Sequence, residues 1–294
     1  MKRRIPTRPP TLRAQRGIAL LVVLWASTLL AILLGGYAMM ARTEALQARY
    51  EFAETRAHYA AEAGMMRAIY GLQDPVMTQR WLADGRNYPL TINDAKVVVS
   101  ATDEGGKVDL NSATPDVLTR LFQLGGMNAK AAQDLTTQVV NWRSFALSNN
   151  DLDGHKAPYV AAGLDYGPRG GPFASVEELQ MVLGMDPAVY RTIAPVLTIW
   201  SGRPQPDQNT ASLLALQTLP GIDPPHASTL YMTRLNAPLT PGLAVGGGVT
   251  HSIRSEATLA DGTHAVLRAT IRLRGVRSGA QPYAVLRWQE GEGE

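Results

Sequence analysis

An uninterrupted apolar segment near the start of the chain restricts its possible folds more than any other feature. Residues Ile18 to Met40 read IALLVVLWASTLLAILLGGYAMM and carry no formal charge. As a helix, this segment is about 34 Å long, which is enough to cross the hydrocarbon core of a bilayer. A cleaved secretory signal has an apolar region of only about 7–15 residues, so the sequence predicts a membrane-spanning helix at residues 18–40.

Positive charge is concentrated before this segment. The whole chain has a net charge of +3, but without six basic residues that precede the segment, 22 basic and 25 acidic residues remain. The positive-inside rule places such a cluster in the cytoplasm and the rest of the chain across the membrane. The net charge is therefore no argument for a nucleic-acid partner, and the lack of cysteine excludes disulfides and thiolate metal sites. The six residues are Lys2, Arg3, Arg4, Arg8, Arg13 and Arg16.

A helical pattern continues beyond the apolar segment. Residues 41–72 contain no proline, and small or apolar residues recur there at steps of three and four, with charged residues between them. This periodicity predicts an amphipathic extension of the same helix through Leu72. A plain signal anchor followed by a separate stalk helix is the alternative that composition leaves open.

The residues at the start of the apolar segment resemble a known processing signal. Arg16-Gly17 followed by Ile18-Ala19-Leu20-Leu21 is similar to the class III signal of type IV pilins and of type II secretion pseudopilins. The resemblance implies that residues 1–17 are a leader, that a prepilin peptidase cuts after Gly17, and that the new amine on Ile18 is methylated. Glycine suits such a site because a residue without a side chain lets extended backbone enter a protease cleft.

The sequence departs from the pilin pattern at one informative position. Most pilins carry Glu at the fifth mature residue, where its carboxylate pairs with the terminal amine of a neighbouring subunit, but here that residue is Val22. An unpaired buried charge is costly, whereas a subunit that lacks the carboxylate can sit where no subunit lies ahead of it. In lacking this Glu, the chain resembles the K-type minor pseudopilin. The resemblance implies a subunit that caps the tip of the filament.

The remainder predicts an α+β fold with a divided sheet. Strand-like segments occur at Tyr88–Thr102 and again late in the chain, where Ala260-Asp261-Gly262 supplies a hairpin turn. About 130 residues between them read as mainly helical. We expect a pilin-like antiparallel β-domain formed by residues 73–108 and 238–294 and split by a helical insertion at 109–237. This organisation also resembles the K-type pseudopilin. The late strand-like segments are Gly242–Leu259, Thr263–Leu273 and Tyr283–Trp288.

The predicted insertion contains an internal repeat. Asp109-Leu110-Asn111-Ser112-Ala113 leads to Leu124-Gly125-Gly126-Met127 and Ala131, and Asn209-Thr210-Ala211 leads to Leu219-Pro220-Gly221-Ile222 and Ala227. Asn-(Ser/Thr)-Ala is typical of a helix N-cap, so the repeat predicts two helix–hairpin–helix units. Such units bind DNA phosphate elsewhere through hairpin amides. DNA-binding copies usually carry Lys or Arg beside the glycine. The nearest neighbours of Leu219–Ile222 here are Asp223 and His226, and the first copy offers only Arg120 and Lys130. A structural scaffold is therefore favoured and no nucleic-acid partner is expected.

Several motifs match the K-type family in order along the chain. The resemblance implies a minor pseudopilin of a type II secretion system, anchored by a single pass in the bacterial inner membrane with its bulk in the periplasm. It further implies partners, namely other minor pseudopilins in a tip complex, the major pseudopilin and the prepilin peptidase, and a role in starting pseudopilus assembly for export of folded proteins across the outer membrane. The motifs are Asp103–Ala113, Pro172–Leu179, Val182–Met185 and Gln208–Ala211.

One segment suggests a calcium site. Asn149-Asn150-Asp151-Leu152-Asp153-Gly154 is an oxygen-rich turn, but position twelve counted from Asp151 is Ala162, so it is not an EF-hand loop. A solvated Asx-rich turn is the alternative. Family members bind calcium near an Asp-Trp-Arg-Asp-like stretch, which here is Asn141-Trp142-Arg143-Ser144 without either carboxylate. Asp151, Asp153 and Asp165 are the candidate calcium ligands.

No catalytic arrangement emerges from the sequence. The five histidines are scattered and there is no Gly-x-Ser-x-Gly motif or phosphate-binding loop. Glu177–Glu178 is interpreted as a helix start and Asp103–Glu104 as a solvated turn. The sequence therefore predicts a protein that is not an enzyme. Two rival hypotheses remain: a minor pilin of a type IV pilus or competence system that contacts DNA, and a membrane-anchored periplasmic enzyme.

Overall fold

The computed structural model describes residues 16–76, 78–145, 149–236, 249–274 and 281–291. The chain divides into two units, one that ends at Arg56 and one that begins at Ala57. A single helix, α1 (Arg16–Leu72), contributes to both. Its end at Leu72 agrees with the periodicity of the sequence.

The part of α1 in the first unit is an exposed apolar helix. Ile18–Leu72 is long and apolar enough to cross a membrane, with a mean hydropathy of 2.6 in its most apolar window. The hydroxyls of Ser27 and Thr28 donate to the carbonyls of Val23 and Leu24 on the same helix, at 2.7 and 3.0 Å. Hydroxyls that are satisfied within their own helix do not oppose burial in lipid.

The second unit contains a sheet of five strands, namely β1 (Asp84–Ile92), β2 (Ala95–Asp103), β5 (Thr250–Thr258), β6 (His264–Leu273) and β7 (Tyr283–Glu290). The strands are antiparallel and their order in the sheet is β1-β2-β5-β6-β7. The strands β2 and β5 are neighbours in the sheet although they are far apart in the chain. The sheet is therefore divided in sequence, as predicted.

Two turns in this sheet relate directly to the sequence. The predicted turn between β5 and β6 is present: Gly262 has a φ of 89° and its amide donates to the carbonyl of Leu259 at 3.1 Å. The segment 88–102 is the greater part of a hairpin, in which β1 and β2 join at Asn93, a residue with a φ of 54°. Residues 242–248 of the second predicted strand segment, Gly242–Leu259, lie outside the described residues, and β5 begins at Thr250.

One face of the sheet packs on the second-unit part of α1. A Cβ atom at Gly64 would lie 2.5 Å from Ser255 Oγ and 2.7 Å from Val97 Cγ1. In β2 the buried side chains alternate with more exposed ones, so Val97 and Val99 face the helix. Small helix residues such as Ala61 are fully buried. The small side chains of this helix therefore allow close approach to the sheet.

Between β2 and β5 the chain is mainly helical. The helices are α2 (Pro115–Leu124), α3 (Ala129–Arg143), α4 (Asn149–Ala161), α5 (Pro187–Ile193), α6 (Leu213–Leu216) and α7 (Pro224–Asn236). Two short parallel strands, β3 (Val108–Asp109) and β4 (Leu197–Thr198), pair beside them. These elements enclose an apolar core that includes Leu118, Leu121, Phe122, Leu135 and Leu216. The prediction of an α+β fold with a helical region inside a divided sheet is confirmed.

Three tight turns connect helical elements in the same way. Each contains a glycine with positive φ, namely Gly126, Gly184 and Gly221. Two residues later an Asn or Asp side chain accepts an amide of the next helix, at 2.6–2.9 Å: Asn128 from Ala131, Asp186 from Ala188 and Asp223 from His226. The predicted repeat therefore has a structural counterpart, and a third copy that the sequence comparison missed. Classification of these units as helix–hairpin–helix motifs stays a prediction.

Two details of the sequence interpretation were wrong. Asn111-Ser112-Ala113 is not an N-cap, because the residue at that position of α2 is Thr114, whose side chain makes no capping bond. Residues 149–154 form the first turns of α4 instead of an irregular turn.

Candidate functional site

The predicted cleavage site lies in the first turn of a helix. Since α1 begins at Arg16, the bond between Gly17 and Ile18 is part of that turn. A protease cleft binds extended backbone, so the predicted cleavage requires this turn to unwind first. Residues 1–15 of the predicted leader lie outside the described residues.

Val22 is an exposed residue of an exposed helix, with 59% of its surface accessible. From Ile18 to Thr43 the helix carries no carboxylate, since its first acidic residue is Glu44. This surface can associate with lipid or with apolar helices, and it offers no negative charge to a terminal amine.

Glu104 lies at the junction between the sheet and the helical region. It follows β2 in a 3-10 helix (Glu104–Gly106) and is only 2% exposed. Its Oε1 accepts hydrogen bonds from Lys107 Nζ and from Ser252 Oγ, both at 2.6 Å, and its Oε2 accepts one from the hydroxyl of Thr198. One carboxylate thus links β4 of the helical region to β5 of the sheet. The interpretation of Asp103–Glu104 as a solvated turn was wrong, because both side chains are buried among donors.

Asp109 organises the next turn of the chain. Its Oδ1 accepts from the amides of Asn111 and Ser112 at 2.8 and 3.2 Å. Its Oδ2 accepts from the amide of Gly202 at 2.7 Å and the hydroxyl of Ser201 at 3.1 Å. Both carboxylate oxygens accept hydrogen bonds from the protein, so the carboxylate has a structural role.

Asn111 connects two of the motifs that carried the family resemblance. Its side-chain amide donates to the carbonyl of Phe173 at 3.1 Å, and its side-chain oxygen accepts from the amide of Phe173 at 2.6 Å. The motif beginning at Asp103 and the motif beginning at Pro172 are therefore in direct contact in the fold.

Glu178 is a second buried carboxylate with three donors. It accepts from Trp142 Nε1 at 2.9 Å, from Arg169 Nε at 2.5 Å and from the amide of Ala174 at 2.8 Å. Burial opposes its ionisation, but the hydrogen bonds from Ala174, Arg169 and Trp142 outweigh burial and lower the pKa of the carboxyl group. Its neighbour Glu177 begins a 3-10 helix, as the sequence predicted.

Arg143 fulfils a role in the stretch Asn141–Ser144 that the sequence did not indicate. Its Nη1 donates to the carbonyl of Leu110 and its Nη2 to that of Ala113, both at 2.7 Å. Burial lowers the pKa of this guanidinium, because the charged form is partly removed from water. The signal that could have revealed this role was the position of Arg143 at the end of the first repeat, which Arg234 matches in the second.

The candidate calcium ligands are not assembled into a site by the described side chains. Asp153 and Asp165 are exposed, and the side chain of Asp151 lies outside the described residues. Among the side chains that are described, His, Asp and Glu form no group of three or more that could hold a metal ion. The calcium site stays a prediction that depends on Asp151.

The cations near the glycine turns are engaged within the protein. Arg120 Nη2 donates to the carbonyl of Ile222 at 2.8 Å and so joins the first repeat to the turn of the second. Lys130 pairs with Asp134 on the same helix at 3.0 Å. These contacts favour a scaffold role for the repeats.

Comparison with known proteins finds a similar family for the part of the chain that contains these features. The family model for protein K of the type II secretion system matches residues 92–202, which include Glu104, Asp109, Arg143 and Glu178. A curated relative, type II secretion system protein K of Klebsiella pneumoniae, is 27% identical and the match covers 62% of this chain. The chain is therefore similar to protein K of the type II secretion system over these residues. The match spans 61% of the length of the curated relative.

A solved structure has a fold similar to that of this chain. It comes from a GspK–GspI–GspJ complex of the type II secretion system of enterotoxigenic Escherichia coli. The similarity has a TM-score of 0.54 at 18% identity and covers 86% of this chain and 99% of the other. The protein K family is a family of secretion pseudopilins and not a known enzyme family.

Proposed function

We propose that this chain is a minor pseudopilin that occupies the tip of the pseudopilus in a type II secretion system and helps to start its assembly. The observation that carries the proposal is Val22 in a helix without carboxylates before Glu44. A repeating subunit gains from a carboxylate that neutralises the terminal amine of its neighbour. A terminal subunit has no such amine to neutralise, and an unpaired carboxylate in an apolar setting would cost several kcal/mol.

The partners follow from the same proposal. The related GspK was solved with GspI and GspJ, which supports docking of this chain to other minor pseudopilins. We expect α1 to insert in the inner membrane and to pack against helices of the major pseudopilin, with the second unit in the periplasm. The helical region between β2 and β5 enlarges that unit, so it would obstruct addition of a further subunit above it.

The first test of the proposal is cleavage of the leader after Gly17. Gly17→Leu is expected to leave a precursor that is longer by the leader, seen by intact-mass analysis of the purified chain. Gly36→Leu is the matched control, because the same change in α1, where no atom lies within 4 Å of an added Cβ, leaves the cleavage site unchanged. A shortened product with a methylated Ile18 from Gly17→Leu would contradict the proposed signal.

The second test is the position of the chain in the filament, because a subunit that caps the tip should lie at one end only. An epitope-tagged chain should be labelled by immunogold at one end of each pseudopilus. Val22→Glu should extend labelling along the filament, since it restores the carboxylate of a repeating subunit, whereas Val23→Glu places the same charge one position away and should not. Uniform labelling by the unsubstituted chain would exclude a cap, even if deletion of the chain still abolished secretion.

A further inference from the structure

The outer face of α1 in the second unit is apolar except for one arginine. Between Ala57 and Leu72 five residues are exposed, and Arg67 is the only charged residue among them. Tyr59 and Tyr70 are 62 and 64% exposed. An exposed row of apolar side chains is typical of a surface that binds another protein. The five residues, at helical steps of three and four, are Tyr59, Ala63, Met66, Arg67 and Tyr70.

Two aromatic rings hold the guanidinium of Arg67 in place. Its Cζ lies 5.5 Å from the ring centroid of Tyr70 and 5.3 Å from that of Trp81. A cation over an aromatic ring is attracted by the face of that ring. Arg67 donates no hydrogen bond and forms no ion pair within the described part of the chain. Its N–H groups are therefore free to donate to an acceptor on another molecule.

Trp81 is itself fixed by its neighbours. Its ring stacks on that of Tyr88, with the centroids 4.0 Å apart and the planes at 8°. The hydroxyl of Tyr88 accepts from the amide of Leu82 at 2.7 Å and donates to its carbonyl at 3.1 Å. The amide of Trp81 donates to the carbonyl of Gly71 at 2.9 Å, and a Cβ at Gly71 would lie 2.7 Å from the Trp81 ring. The rings beside Arg67 are therefore pre-organised, which lowers the entropic cost of binding.

We propose that this outer face of α1 binds a partner protein and that Arg67 pairs there with a carboxylate of the partner. A planar guanidinium presents two parallel N–H groups to a carboxylate, and rings beside it exclude water from the pair. Anionic lipids and nucleic acids are bound by several cations at one surface. A single arginine among Tyr, Trp and Met is instead the composition of the centre of a protein interface. The assignment rests on the proposed function, in which the partners are other minor pseudopilins.

The affinity of the full chain for these partners tests the role of Arg67, with the other minor pseudopilins of the same secretion system purified separately and all proteins in detergent. Arg67→Gln should weaken binding about tenfold, because a carboxylate at the interface loses its partner. Arg67→Lys should weaken it about threefold, since a point charge replaces the planar fork. Arg191→Gln is the matched control, because it removes one exposed positive charge from α5 and should leave the affinity unchanged.

Equal affinities of Arg67→Gln and Arg191→Gln would overturn the assignment of Arg67 and leave the proposed function untouched. Absence of binding by the unsubstituted chain would contradict the proposed partners, and the assignment with them.

Carbodiimide cross-linking of the complex identifies the carboxylate. The reagent condenses a lysine amine with a carboxylate in contact with it, so the Arg67→Lys variant should be joined through position 67 to an Asp or Glu of a partner. Mass spectrometry of the digested complex detects this amide bond, which unfolding of the variant cannot produce. Arg191→Lys should give no such product. Equal cross-linking of the partner from both positions would overturn the assignment, and cross-linking of position 67 to a second copy of this chain alone would give the surface to self-association instead.

Discussion

Arg143 and Arg234 occupy equivalent positions, since each guanidinium donates to two backbone carbonyls three residues apart in a loop that an aspartate begins. Arg234 bonds the carbonyls of Gln208 and Ala211 at 3.1 and 2.6 Å, as Arg143 bonds its own loop. In both loops the Asp carboxylate accepts the amide two residues later. The two halves of the helical region therefore repeat the same loop with the same hydrogen bonds, and not only a sequence pattern.

This equivalence predicts that Arg143→Lys and Arg234→Lys each lower the free energy of unfolding by about 1–3 kcal/mol. Lysine lacks the planar fork that reaches both carbonyls, so buried acceptors lose a partner. Urea unfolding of the full chain in detergent, followed by circular dichroism, measures the change. Arg191→Lys is the control, because Arg191 is exposed and bonds only one carbonyl of its own helix. Equal stability of all three variants would contradict the prediction.

The buried position of Glu104 predicts that Glu104→Gln lowers the free energy of unfolding by roughly 3 kcal/mol. The amide keeps the shape but leaves Lys107 without its counter-charge and presents two hydrogens where only donors point inward. Glu177→Gln is the matched control, because its ion pair with Arg287 is about half exposed and should contribute less than about 1 kcal/mol. A loss no larger than that of the control would show that Glu104 does not hold the junction together.

The sequence was sufficient to predict those elements that depend on interactions between residues close together in the chain. The end of α1 at Leu72 follows from a periodicity of three and four residues, and the turn at Gly262 from a residue that tolerates positive φ. The divided sheet could be predicted because strand-like segments appear only at the two sides of a helical region. Neither inference required knowledge of distant contacts.

Prediction of the role of a side chain failed where its hydrogen-bond partners are distant in the sequence. Glu104 is buried because Thr198 and Ser252, 94 and 148 positions away, supply its donors. No local pattern distinguishes such a residue from a solvated one. Residues 149–154 are rich in turn formers, yet they are helical because α4 places Tyr159, which is fully buried, in the apolar core. Tertiary packing thus overrode local propensity.

The lowered pKa of Glu178 predicts an acid-sensitive contribution to stability. Because the pKa of the carboxyl group is lower in the folded than in the unfolded state, its contribution is fully present above the unfolded pKa and is lost as the pH falls through the folded one. The stability difference between the unsubstituted chain and Glu178→Gln should therefore be largest near neutral pH and shrink below about pH 4.5. Urea unfolding between neutral and acidic pH measures it. A stability difference between the two chains that stays constant with pH would mean that the hydrogen bonds to Glu178 do not depend on its negative charge.

The contact between α1 and the sheet predicts a strong effect of a single methyl group. Gly64→Ala places a Cβ 2.5 Å from Ser255 Oγ and 2.7 Å from Val97 Cγ1, so the helix or the sheet must shift, at a cost of about 1–3 kcal/mol. Ser255→Ala alone should cost little, because its hydroxyl is buried without a hydrogen-bond partner among the described residues. The double variant should recover part of the loss by removing the nearest clash.

Gly36→Ala, which meets no atom within 4 Å, controls for the general effect of alanine in α1. Equal unfolding midpoints for Gly64→Ala and Gly36→Ala would show that the helix does not approach the sheet at Gly64.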